Sequence, residues 1–97
     1  MADNTQTKNA GKFSLGQVVS TPGALEAIPP GEMLSALSRH VRGDWGDCGP
    51  EDAAENEFSL DRDLRIFSVY HTTAGLKFWI ITEADRSVTT VLLPEEY

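Results

Sequence analysis

Cysteine is nearly absent: one residue, Cys48, stands in a chain of 97. That excludes an intramolecular disulfide and a cysteine-rich zinc site. It fits a reducing compartment, and a cytoplasmic location is expected. Basic residues are also few, eight Lys and Arg against fifteen Asp and Glu, for a net charge of −7. They are scattered, so the clustered cations that neutralise phosphates are missing and no direct nucleic-acid binding is expected. An acidic surface suits an anionic membrane poorly and suits basic protein partners or cations better. No apolar run approaches the roughly 20 residues of a membrane helix. The longest, Phe78 to Ile81, is the size of a strand. The opening MADNTQTKNAGK has no apolar core, so it does not read as a secretory signal. Glycine-rich phosphate cradles are absent, and no Ser, Cys or Asp is placed by sequence to form a triad with His71. Cys48, beside Asp47, has no nearby cation to stabilise a thiolate. No catalytic set, resident metal or cofactor is expected.

What is present is a change of period along one domain. Residues 1–12 are polar and aperiodic and read as a disordered tail. "FSLGQVVST" reads as a short strand at a sheet edge, broken by Gly16. In "TPGALEAI", Thr21 is placed as an N-cap and Pro22 as the first helical residue, before Pro29 and Pro30 stop the helix. "PPGEMLSALSRHVRG" is the strongest helix. Leu34, Leu37 and Val41 mark its apolar face, Arg39 and Arg42 suit its last turn, and Gly43 suits a left-handed cap. After the loop "DWGDCG", Pro50 opens a weaker helix, with Ala53, Ala54 and Phe58 as its expected buried face and Glu51 and Asp52 at its acidic start.

The last third is rich in β-branched and aromatic residues. The runs 64–71, 76–82 and 88–93, joined by short linkers, predict an antiparallel three-stranded meander. Leu76, Phe78 and Ile80 are expected to face the helices, leaving Trp79 and Ile81 for the other face. The predicted fold is a single two-layer α+β domain over residues 13–97, with two or three short helices on one face of a small antiparallel sheet.

The densest polar stretch is "RHVRGDWGDCGPED", residues 39–52. His40, Asp44 and Asp47 could converge on a divalent cation. The plainer reading makes the stretch a helix end and a tight corner: His40 at the helix C-terminus, Asp44 accepting loop N–H groups, Trp45 folded onto the core. From Asp44 to Asp61 there are seven carboxylates and no Lys or Arg. Among them Glu51, Asp52 and Glu55 begin a helix. Such a strip is either a solvated face or a docking surface for a basic partner. The spacing does not match a calcium loop. In "TEADRS", Glu83, Asp85 and Arg86 form a polar hairpin turn, with Arg86 placed to pair with Glu83 or with a carboxylate of the 44–47 corner.

"LGQVVSTPGALEAI", "RHVRGDWGD" with "EDAAENE", and "YHTTAGLKFWIITEADRSVTTVLLPEEY" together resemble a family of small bacterial proteins. Its members are carried on plasmids, integrative elements and prophages. The resemblance spans Phe13 to Tyr97 and brings no reaction and no cofactor. It implies as motif positions His40, Gly43, Asp44, Trp45, Gly46, Glu51, Asp52 and Asn56, and then Trp79, Thr82, Glu83, Asp85, Arg86, Pro94, Glu95 and Tyr97.

Three readings follow. The favoured one is a non-enzymatic, acidic protein-binding accessory of a mobile element, of the kind that inhibits a host defence nuclease (anti-restriction or anti-CRISPR). Its binding residues would be His40, Asp44, Trp45, Asp47, Glu51, Asp52, Glu55, Glu83, Asp85 and Arg86. The second is a metal-dependent hydrolase or nuclease with His40, Asp44 and Asp47 as ligands and Glu83 or Asp85 as base. The third is a homodimer through a sheet face bearing Trp79 and Ile81.

Overall fold

Three strands alternate as their sequences predict and form the meander: β2 (Ile66–His71), β3 (Lys77–Thr82) and β4 (Val88–Leu92). In this computed structural model, which describes residues 11–97, they pair antiparallel in the order of the chain. The earlier strand, β1 (Gln17–Ser20), joins the far side of β4, giving the sheet order β1-β4-β3-β2. Its pairing is parallel, Gln17 opposite Val88 through Ser20 opposite Val91, so the sheet is mixed where an all-antiparallel one is expected. The physical reason is the connection. A short turn forces antiparallel neighbours, whereas β1 and β4 are separated by the whole helical layer and either direction is open.

The helices start where proline and threonine place them. Helix α1 (Pro22–Ala27) has Thr21 as N-cap, its side chain accepting the Ala24 N–H. Helix α2 spans Pro30–Val41 and α3 spans Pro50–Leu60, each with proline in its first turn. A single 3-10 turn, η1 (Pro94–Glu96), follows β4. Its Glu96 reaches back to α1, accepting from the Thr21 hydroxyl and, at 2.9 Å, from the Gly23 N–H. The fold is α+β. Among the described residues no helix is long and apolar enough to cross a membrane.

The core lies between α1, α2 and one sheet face. Ala24, Ile28, Ala36 and Leu37 pack on Tyr70, Phe78, Ile80 and Val91. Phe78 and Ile80 face the helices, as their alternation requires. The face of α2 is rotated from the expected one. Leu34 is 68% exposed, and the buried side is Ala36, Leu37 and His40. Helix α3 departs further: Phe58 is exposed, Ala54 is exposed, and the buried residues are Asn56 and Ser59. Both polar side chains are satisfied there, which removes the penalty that normally keeps them out.

The opposite sheet face carries its own cover. Phe67, Trp79 and Tyr97 form a ladder of edge-on rings with centroids 5.1 and 5.8 Å apart. Beneath it Ile81 is buried and Trp79 half-buried, so the exposed Trp79–Ile81 patch expected for a homodimer is not presented. Of the expected tail, residues 1–10 lie outside the described residues. Lys12 is already anchored, its N–H donating to the Val41 carbonyl at 2.7 Å.

Candidate functional site

The polar corner is built from the end of α2 outward. Gly43 takes φ +86°, and the Gly43 and Asp44 N–H groups donate to the His40 and Arg39 carbonyls, closing the last turn. The Asp44 carboxylate then takes two bonds from the Arg39 guanidinium, at 2.8 and 3.2 Å. That bidentate partner, together with the Gly46 N–H, holds the Asp44 carboxyl below its usual range. Trp45 turns inward, 6% exposed, lying over Phe13 and edge-on to His40. Its ring N–H donates to Glu57 of α3 at 2.9 Å.

This corner seals one edge of the sheet. Strand β2 is terminal, and the Val69 N–H and C=O point away from β3. The N–H donates to the Trp45 carbonyl at 3.2 Å, and the carbonyl accepts from Asp47 N–H at 2.7 Å. One step along, the Asn56 side chain serves Phe67 the same way. Its amide nitrogen donates to the Phe67 carbonyl at 2.6 Å, and its oxygen accepts the Phe67 N–H at 3.0 Å. A primary amide carries one donor and one acceptor side by side, so Asn56 pairs with β2 as a strand residue would. Asn56→Asp is expected to destabilise the fold by about 2 kcal/mol or more at neutral pH, because an oxygen then faces the Phe67 carbonyl. Mild acid should restore part of the loss, since a protonated carboxyl can donate. Urea unfolding across pH checks both.

His40 lies beneath the corner and does not join it. It is fully buried, with Nδ1 2.6 Å from the Ser68 hydroxyl and Nε2 2.9 Å from the Thr82 hydroxyl. Thr82 contacts the Thr89 hydroxyl at 2.7 Å, and Thr89 donates to the Leu15 carbonyl at 2.7 Å. That carbonyl fixes the direction of the whole chain. Thr89 spends its proton on it, so Thr82 donates to Thr89 and must accept from His40. Nε2 therefore carries the proton and Nδ1 accepts from Ser68. Burial pushes the His40 pKa down to about 3, so the imidazole is neutral. A Ser–His contact can be nucleophilic only where substrate reaches it, and Ser68, His40, Thr82 and Thr89 are all at 0% exposure. The relay holds α2 to the sheet.

The cation site expected at His40, Asp44 and Asp47 is thereby dismantled. His40 points into the core, Asp44 is held by Arg39, and Asp47 lies 2.7 Å from His71 Nδ1. Among the described residues no three His, Cys, Asp or Glu side chains are grouped to hold a metal. Cys48 donates to the Phe67 carbonyl, and burial raises its thiol pKa, against a thiolate nucleophile.

The second polar loop also proves structural. Arg86, at φ +63°, donates to the carbonyls of Ser59, Leu64, Glu83 and Ala84, and so ties the end of α3 to the β3–β4 hairpin. Arg86 therefore pairs with carbonyls and with no described carboxylate. Glu83 pairs instead with Arg65 at 3.2 Å, and Asp85 accepts from the Ser87 N–H and hydroxyl. A shallow groove of about 220 Å³ lies beside this pair, floored by Ile81 and Leu92 and rimmed by Arg65, Glu83 and Tyr97. It does not reach the His40 relay.

Glu51, Asp52 and Glu55 remain. All three are exposed on α3, and none forms an ion pair with a described residue. Ser68 and Thr89 are structural polar residues that sequence reasoning misses, and Asn56 and Thr82 entered only as motif positions of the resemblance, without this structural role. Asn56 had one further signal in the residues, as the lone amide of its helix. No family model, no curated protein and no solved structure matches the chain.

Proposed function

We propose that this chain is a non-enzymatic protein-binding module that offers the carboxylate face of α3 to a basic partner. One observation carries the reading. Glu51, Asp52 and Glu55 stand exposed, without a described cation, on a helix fastened from behind by Asn56, by Glu57 on Trp45, and by Arg86 on Ser59. A rigid acidic face is pre-organised for a basic surface and loses little side-chain and backbone freedom on docking. The resemblance to proteins of plasmids and prophages makes a host defence nuclease the partner class proposed, its basic nucleic-acid channel being the complementary surface. Trp45, Arg86 and His40 drop out as contact residues, because each is committed to the fold. The hydrolase reading has lost its ligand set and is not retained.

Capture of host proteins on immobilised wild type, at low and high salt, tests this against Glu51→Gln, Asp52→Asn and Glu55→Gln combined. These changes neutralise the face without touching a described contact. The expected result is a basic partner retained by wild type, weakened at least about tenfold by the triple change and released by salt, since exposed charges are screened over about 10 Å at 0.1 M. Equal retention by both proteins at both salt concentrations would defeat the proposal.

A further inference from the structure

The two edges of the sheet are treated differently. The β2 edge is closed by Trp45, Asp47 and Asn56. Among the described residues the β1 edge has no such cover. In the parallel register with β4, Gln17 and Thr21 donate inward to the Ser87 and Val91 carbonyls. The intervening peptide groups of Val18 and Ser20 therefore point outward, and no described residue bonds with them. Val18 and Val19 are 42% and 38% exposed. Residues 17–20, QVVS, contain no charge and no proline, the usual devices that stop an open edge from pairing.

We infer that two copies of this chain associate through β1, antiparallel about a twofold axis, to make one continuous sheet. The register follows from the outward groups. With Val19 opposite the partner's Val19 on the axis, Val18 stands opposite the partner's Ser20 and exchanges both backbone bonds with it, and the symmetric pair does the same. The Val19 pair occupies the non-bonded position, where side chains approach most closely. All four outward residues are thus satisfied by one isologous contact. Charge favours a second copy over a charged partner strand. The chain carries −7, but the α3 carboxylates that pair with no described cation lie beyond β2, at the opposite edge. Pairing through β1 holds the two acidic helices at the far ends of the joined sheet, and the contact itself is neutral. This inference does not depend on the role proposed for α3.

The test uses the full chain. Sedimentation equilibrium over micromolar to millimolar concentration is paired with amide hydrogen exchange at both extremes. The expected result is a reversible doubling of the 10.6 kDa mass. The Val18 and Ser20 amides should exchange at least about tenfold more slowly in the dimer than on dilution, as a concentration-linked bond requires. The Val19 amide, bonded to β4, should be slow throughout. Val19→Lys sets two like charges together on the axis and should abolish the dimer while leaving the unfolding midpoint of the dilute protein unchanged. A monomer at millimolar concentration would overturn the inference. So would a dimer in which Val18 and Ser20 stay unprotected, or one that survives Val19→Lys in a folded protein.

Discussion

Gly46→Ala is expected to destabilise the protein by about 3 kcal/mol or more, a large share of the ~5–15 kcal/mol that holds a domain together. Gly46 sits at φ +73°, in the left-handed region, and against the backbone of β2. A Cβ there would lie 2.0 Å from the Val69 carbonyl oxygen and 2.7 Å from the Tyr70 ring. The oxygen is main chain and cannot rotate away, so the corner must lift from the strand. Lifting it frees the Val69 N–H and C=O, and it strains the bond at 2.6 Å from the Tyr70 hydroxyl to the Asp44 carbonyl. Gly49→Ala is the control. It lies three residues on in the same loop, at φ −67°, with nothing within 4 Å of an added Cβ. Its change should stay within about 0.5 kcal/mol. Equal urea midpoints for the two variants would remove the sealed edge from the account of stability.

Acid should weaken the fold through His40, well above the pH at which ordinary carboxylates protonate. Folded, His40 takes a proton only near pH 3; unfolded, it takes one near its ordinary value of 6.5. Between those values unfolding binds a proton, so stability falls as pH falls and is full only above the unfolded value. The slope approaches ~1.4 kcal/mol per pH unit, or about 2 kcal/mol lost between pH ~7 and pH ~5. His40→Gln keeps a neutral amide donor and acceptor in the relay. It should lower stability at neutral pH by about 2 kcal/mol through imperfect geometry, yet erase most of this slope. Urea unfolding at several pH values decides it. A slope in His40→Gln equal to that of wild type would assign the acid sensitivity to other groups.

Local chemistry made much of the architecture legible. Pro22 and Pro50 mark helix starts because a first-turn proline sacrifices no hydrogen bond, Thr21 caps the first of them, and Pro30, read as a helix stop, also opens α2. The period-two runs and short linkers fix the meander. What stayed hidden shares one cause. Hydrophobic patterning assumes that polar side chains seek water, and here several bury because each finds a partner far along the chain. His40 is 28 residues from Ser68 and 42 from Thr82. Asn56 is 11 from Phe67, so α3 buries its amide and leaves Phe58 outside. The same effect drew the candidate site apart. His40, Asp44 and Asp47 are close in sequence, but Ser68, Arg39 and His71 claim them one by one. The parallel β1–β4 pair was out of reach for a different reason: no turn residue encodes the direction of two strands joined through an entire layer.

That pair also sets when the protein can fold. Val18 meets Thr89, and Leu15 supplies the carbonyl that orients the polar relay through Thr89. Among the described residues of one chain, the earliest strand thus pairs with the latest. A ribosome delivering this chain releases α1, α2 and the β2–β3 hairpin before β1 has a strand to dock on, and Val18 and Val19 wait unpaired until β4 follows. Closing so long a loop is slow, since contacts distant in sequence must be found before they are rewarded. Until β4 emerges to close that clasp, the nascent strand is open to wrong pairing.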